Sequence, residues 1–269
     1  MATPSIALAY KRSALMTATK VTTKPPSPEV LRARDNFQDF CVFMGKAPAN
    51  HMLEWHAELC TGEDSECLLG IGGPNTAILA PRGSAKSTVL GLFAAWMIGR
   101  HAAAGKMLRI LYIAYMVDIS RAKSATIKGI LTSNKYREVF PMVRLSKIKR
   151  SDEYWSIDYD FAGIDTAGEE AFTIACGGLK GAITSKRSQL VLIDDPIKSA
   201  ASINNPDIRR EMEQTWSNVI APTMFQGARA ICLGTRFHFD DIHATLFVPK
   251  NNWKQIIQKA VITDAEGSQ

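Results

Sequence analysis

Thr76-Ala77-Ile78-Leu79-Ala80-Pro81-Arg82-Gly83-Ser84-Ala85-Lys86-Ser87-Thr88 reads as a buried strand, a tight loop and the start of a helix, and the apolar run Val89 to Ile98 continues that helix. This is the layout of a phosphate-binding loop. Backbone N–H groups at a helix N-terminus point at an anion, a Lys reaches the outer phosphates and a hydroxyl holds magnesium. The common pattern is G-x-x-x-x-G-K-[ST]. Here Ala80 and Ala85 stand at the two glycine positions, with Gly83 mid-loop beside Arg82. Alanine carries a Cβ, so close approach of this backbone to phosphate is expected only with negative φ at both positions. The competing reading of the segment is a basic turn before a core helix.

Two further segments have matching geometry. Gln189-Leu190-Val191-Leu192-Ile193-Asp194-Asp195 is an apolar run ending in two carboxylates. A continuous apolar strand fits a parallel sheet covered on both faces, and ligands in such sheets sit at the carboxyl ends of the strands. The first acid suits Mg²⁺ and the second suits an attacking water. An Asp-Asp-Pro turn after a core strand is the plainer alternative. Ala228 to Leu233 reads as another buried strand, ending in Gly234-Thr235-Arg236-Phe237-His238-Phe239-Asp240-Asp241. Its Gly-Thr-Arg suits sensing of a γ-phosphate, and Asp240 or Asp241 suits capping of a following helix.

Taken in order, Pro-Arg-Gly-Ser-Ala-Lys-Ser-Thr, Leu-Ile-Asp-Asp-Pro and Gly-Thr-Arg-Phe-His-Phe-Asp-Asp resemble the large terminase subunit of tailed bacteriophages. His51 to His56 and Ala175 to Thr184 extend the resemblance, which covers roughly residues 35 to 262. It implies an α/β fold: a P-loop NTPase of the ASCE/RecA-like type, with a mainly parallel central sheet flanked by helices and some antiparallel edge strands. It also implies an ATP hydrolase that drives double-stranded DNA into a procapsid. Residues 1–30 are expected to be a flexible N-terminal tail, 31–262 the ATPase domain, and 263–269 the start of a linker to a nuclease domain. No downstream acidic cluster is present to build a two-metal nuclease.

The resemblance assigns roles residue by residue. Gly83, Ser84, Ala85, Lys86, Ser87 and Thr88 cradle the phosphates of ATP, and Ser87 with Asp194 holds Mg²⁺. Asp195 positions the lytic water; the family usually has Glu there, one methylene longer. Arg82 matches a loop arginine expected at the γ-phosphate, with a surface charge or an ion-pair partner as the alternative. Trp55 and His56 lie where the family has its adenine-contacting segment, although a core role in an amphipathic helix fits Trp55 equally. Thr235 and Arg236 match the motif that couples hydrolysis to movement. Arg187 is the candidate for a charge donated in trans; a basic loop is its alternative. The implied partners are double-stranded DNA, held by sequence-independent backbone contacts, a portal protein and a small terminase subunit. The implied assembly is a homo-oligomeric ring on the portal, monomeric in isolation, in host cytoplasm and not in the mature virion. Lys147-Ile148-Lys149-Arg150 and the loop from Lys180 to Arg187 are candidate DNA contacts. Two other readings stay open: a helicase-like P-loop motor, and a degenerate nucleotide-binding assembly module without turnover.

Composition sets the bounds. A chain of 269 residues, 46% hydrophobic, is one large domain or two small ones, with ample apolar content for a core. No apolar run of about twenty residues indicates a membrane span. The net charge of +6 favours a polyanionic partner, but four basic and no acidic residues in the first 24 positions supply much of it. That tail lacks a signal-peptide h-region, although its acid-free composition also fits a transit peptide. The cysteines at 41, 60, 67, 176 and 232 do not form a disulfide framework, and 176 and 232 read as buried thiols. His51, His56, Cys60 and Cys67 are too widely spaced for a usual zinc hairpin. Helices are expected over about 30–45, 50–60, 86–101, 118–132 and 207–220. Strands are expected at 75–80, 109–114, 189–194, 228–233 and 253–261, with 154–157 and 171–174 antiparallel at the sheet edge.

Overall fold

The computed structural model describes residues 25–60, 73–179 and 186–259. Among these, eight strands form one sheet: β1 (Asn75–Leu79), β2 (Ile110–Ala114), β3 (Leu145–Arg150), β4 (Tyr154–Ile157), β5 (Ile174–Gly178), β6 (Ser188–Asp194), β7 (Met224–Gly234) and β8 (Trp253–Ile257). Their order across the sheet is β3-β4-β5-β2-β6-β7-β1-β8. The five pairings from β5 across to β8 are parallel, while β3–β4 and β4–β5 are antiparallel. The chain is thus an α/β P-loop NTPase fold, with β7 standing between the loop strand β1 and the acidic strand β6.

Side-chain alternation along the strands builds two core layers. Ile78, Tyr112, Leu190, Leu192, Ile231 and Leu233 face one side, where helix α4 (Lys86–Ala103) packs with α5 (Val117–Thr132) and α6 (Asn134–Val139). Ala77, Leu111, Ile113, Val191, Ile193 and Cys232 face the other, against α7 (Pro206–Thr215), α8 (Ile242–Thr245) and the Trp216–Phe247–Trp253 aromatic group. Central strands buried on both faces explain the unbroken apolar runs of β2 and β6.

Several elements differ from the expectations. The segment 30–45 is two helices, α1 (Pro28–Asp35) and α2 (Phe37–Phe43). Asn36 between them is extended (φ −127°, ψ 128°), and its side chain accepts from Asp39 N–H at 3.0 Å. A short 3₁₀ turn precedes α3 (Leu53–Leu59). The helix expected over 207–220 is α-helical only to Thr215; Trp216–Ile220 forms a π-helical turn that brings Trp216 onto Trp253. The strand expected at 171–174 begins at Ile174 and is interior, parallel to β2. The basic run 147–150 belongs to the edge strand β3. β8 ends at Ile257, and Val261 lies outside the described residues, as does Cys67. No helix among the described residues is long and apolar enough to cross a membrane.

Candidate nucleotide site

The loop of residues 80–85 leaves the carboxyl end of β1, and α4 starts at Lys86. Ala85 is the N-cap of that helix, with no side-chain cap, so its first N–H groups stay available to an anion. Ala85 has φ 58° and ψ 22°, a left-handed conformation. The expectation of negative φ here is overturned: the turn that aims the first helical turn at the cleft is made despite the Cβ. Gly83, at φ 83°, supplies the other left-handed residue of the loop.

The acidic strand brings its carboxylates to this loop. Ser87 Oγ donates to Asp194 Oδ1 at 2.8 Å across 107 residues of sequence, and Tyr112 OH donates to Asp194 Oδ2 at 3.1 Å. Asp194 is buried, and desolvation raises its carboxyl above the usual carboxylate range against the opposing pull of Ser87 and the cation of Lys123. A hydroxyl and a carboxylate side by side are hard oxygen donors that suit Mg²⁺. Asp195 turns out of the strand at φ 41° and pairs with Lys86 Nζ at 3.7 Å. Lys86 also donates to the carbonyls of Pro81 (2.9 Å) and Ala80 (3.2 Å), so its ammonium is folded into its own loop. Thr235 Oγ1 lies between the loop and Asp195, 3.1 Å from the Ala80 carbonyl and 3.4 Å from Asp195 Oδ1.

Lys86, Ser87, Asp195 and Thr235 line a cleft of about 490 Å³. Arg82, Gly83, Ala85, Lys86, Ser87, Thr88, Asp195 and Thr235 all face it. Ser84 turns inward, its hydroxyl donating to the Pro81 carbonyl at 2.6 Å. Arg236 is exposed and bonds within its own loop, to the Phe239 carbonyl at 3.2 Å. Asp241 rather than Asp240 caps the following helix, accepting from His243 N–H at 3.1 Å.

Three other candidates fall elsewhere. Trp55 and His56 are only 1% and 3% exposed. His56 stacks on Phe37 at 4.6 Å, and burial lowers its pKa to about 4. Neither ring is available to a base, so the core role of that helix replaces the adenine contact. Arg187 precedes β6, at the opposite end of the strand from Asp194. The seven-residue strand puts roughly 20 Å between them, so Arg187 lies away from the cleft of its own chain. Its guanidinium lies 5.7 Å from the Phe225 ring centroid. Lys180 to Thr184 lies outside the described residues.

Tyr112 and Phe237 belong to the site and went unread in the sequence. Tyr112 had a signal: it is the single polar-tipped residue in Ile110-Leu111-Tyr112-Ile113-Ala114, on a strand that neighbours the acidic one. Lys123 and Lys46 line a second cavity of about 350 Å³ that adjoins Ser87, Thr88 and Tyr112.

No protein-family model and no curated protein matches the sequence. Solved structures do. The fold is similar to that of phage large terminases. The large terminase of a thermophilic bacteriophage aligns over 89% of this chain at 9% identity, with a TM-score of 0.43. That of bacteriophage HK97 aligns over 88% at 12% identity and a TM-score of 0.47. The large terminase ATPase domain of a Thermus phage aligns over 81% at 15% identity and a TM-score of 0.43, and 83% of that domain is covered. The chain spans about half the length of the first two of these proteins, 47% and 46% respectively.

Proposed function

We propose that this chain is an Mg²⁺-dependent ATPase domain of a viral DNA-packaging motor of the large terminase kind. The observation that carries the nucleotide reading is the convergence of Ser87 on Asp194 and of Lys86 on Asp195 at an uncapped helix start. In this reading the α4 N–H groups and Lys86 bind the β- and γ-phosphates, and Ser87 with Asp194 holds Mg²⁺. The metal supplies charge neutralisation at the transferring phosphoryl group. Lys86 must leave the carbonyls of Ala80 and Pro81 to meet a phosphate, and in doing so it frees the Asp195 carboxylate to orient water. Thr235, bonded to both the loop and Asp195, transmits the occupancy of the site into β7. The DNA-packaging part of the reading rests on the ordered trio of motifs; double-stranded DNA, a portal and a small terminase subunit are the partners it proposes. Arg187 is then a trans contribution to a neighbouring subunit, which its placement away from its own cleft permits.

The test is Mg²⁺-dependent ATP hydrolysis across a protein-concentration series, with and without double-stranded DNA, for the wild type, Lys86→Ala and Asp195→Ala. Turnover absent from both variants and rising more than linearly with protein concentration supports a motor completed between subunits. Nucleotide binding without turnover at any concentration points instead to a nucleotide-binding assembly module. ATP-driven separation of strands would indicate a helicase-like motor.

A further inference from the structure

The two cations of the phosphate loop are held in different ways. Lys86 is buried, paired with Asp195 and bonded to two carbonyls. Arg82 is exposed; its guanidinium lies 5.1 Å from the centroid of the Phe237 ring and donates to the Lys198 carbonyl. Among the described residues Arg82 makes no ion pair. Phe237 is fixed from behind. Its N–H donates to Asp241 Oδ2 at 3.0 Å, and the buried Asp241 also accepts from the N–H groups of His238 and His243. The ring packs against the second core layer and forms a wall of the cleft. A ring face attracts a guanidinium without neutralising it. A carboxylate in the same place would compete with phosphate for the charge; a phenyl ring takes up none of the N–H donors, so the guanidinium can meet phosphate while it keeps its place over the ring.

We propose that Phe237 is a positioning residue for Arg82, holding an uncompensated guanidinium at the cleft wall where the terminal phosphate of a nucleoside triphosphate collects it. This rests on the nucleotide-binding reading above and adds to it the residue that prepares the arginine. The ring thereby favours triphosphate over diphosphate, because only the triphosphate carries the group that Arg82 meets. It also ties the loop after β7 to the phosphate loop by a contact separate from Thr235.

The experiment is calorimetric binding of ATPγS and of ADP, each with Mg²⁺, to the wild type, Phe237→Leu, Phe237→Tyr, Arg82→Ala and the Arg82→Ala/Phe237→Leu double variant. Thermal melting accompanies each titration. Phe237→Leu is expected to weaken ATPγS binding about three-fold, the scale of an exposed cation–π contact, and to leave ADP binding unchanged. Phe237→Tyr keeps the ring face and the wild-type affinity. In the Arg82→Ala background Phe237→Leu has no further effect, since the ring acts through the arginine. Equal weakening for ADP, persistence of the loss without Arg82, or no loss at all in Phe237→Leu overturns the proposal and leaves the nucleotide site standing. A wild type that binds neither nucleotide overturns the site itself, and this inference with it. Should Phe237→Leu fail to fold, Phe237→Met makes the same comparison with a flexible side chain of similar volume.

Discussion

The two ends of the sheet treat buried charge in opposite ways. At the amino end of β1, Arg229 is fully buried, and its guanidinium donates to the carbonyls of Pro74, Leu59 and Glu58 and to Thr76 Oγ1, all between 2.9 and 3.2 Å. Glu58, itself 4% exposed, faces Arg229 at 3.9 Å and pairs with Lys254. At the carboxyl end, Asp194 is buried with two hydroxyl donors, Asp195 and Ala85 have positive φ, and Lys86 satisfies itself on its own loop. The first end is a cation saturated with fixed acceptors and stitches α3 to β1, β7 and β8. The second end holds two non-glycine residues in left-handed conformations and a helix start with no side-chain cap, the open polar capacity that the proposed ligand would use.

Substitution at the saturated end should give the largest effect on folding. Arg229→Met takes a donor from three carbonyls, of which that of Pro74 keeps Thr76 Oγ1, and removes the guanidinium that faces the buried Glu58 carboxylate. A loss of about 3–5 kcal/mol is expected, read from the urea midpoint at constant m-value. A loss below about 1 kcal/mol would erase the contrast between the two ends.

Asp194→Asn probes the other end and should separate activity from stability. The amide still accepts from Ser87 or Tyr112 and no longer carries a charge that burial disfavours. Stability is expected to hold or rise, while Mg²⁺-dependent turnover falls on the order of 10²–10³-fold. A destabilised Asp194→Asn would place this carboxylate among the structural charges, with Arg229.

The sequence carried much of this contrast at one end and little at the other. Asp194 and Asp195 were legible because they end an apolar run, a break that marks a strand terminus, and Lys86 and Ser87 because they open an apolar helix after a strand and a short loop. The parallel core was legible from the same apolar runs. Arg229 was not: inside Ala228-Arg229-Ala230 it looks like an exposed residue of a strand, and its acceptors come from segments about 155 and 170 residues away. Trp55 and His56 misled because an aromatic near a loop motif fits stacking and core packing equally, and only their burial in the fold decides between them. The break at Asn36 was hidden by helical spacing that runs through it. The left-handed Ala85 was hidden because no pattern of side chains reports a backbone angle.

Acid should act on both ends together. Burial depresses His101, near the end of α4, and His243, beside Gly234, each to about 4. Unfolded histidines take up protons near pH 6.5, so between about 6.5 and 4 the unfolded chain binds more protons than the folded one. Stability is therefore complete above about pH 6.5 and declines as pH falls towards 4, by up to about 3 kcal/mol for each histidine. Urea denaturation at pH 7 and at pH 4.5 measures the decline. His243→Phe should lessen it by that residue's share and leave the part due to His101 and His56, because a neutral ring beside Phe247 has no proton to bind. An unchanged acid limb in that variant would rule out His243 as its source.

Ala85→Gly should give the smallest effect, and its sign is the informative part. A left-handed alanine costs about 1–2 kcal/mol in backbone sterics. Glycine removes that cost and adds roughly 0.5–1 kcal/mol of unfolded-state entropy. The difference predicts a variant more stable by about 0.5–1 kcal/mol. Gly83→Ala makes the opposite change in the same loop: at φ 83° it introduces the strain, and with no atom within 4 Å of the added Cβ there is no packing term to confuse it. It should lose about 0.5–1 kcal/mol, the strain less the unfolded-state entropy that alanine removes. If strain in this loop serves to aim the first turn of α4, both variants should bind ATPγS as the wild type does, since neither alters the conformation reached. If Ala85→Gly gains stability but loses affinity, the Cβ of Ala85 is itself part of the cradle. The loop then departs from the common glycine pattern because the methyl limits the alternatives open to the chain before a nucleotide arrives.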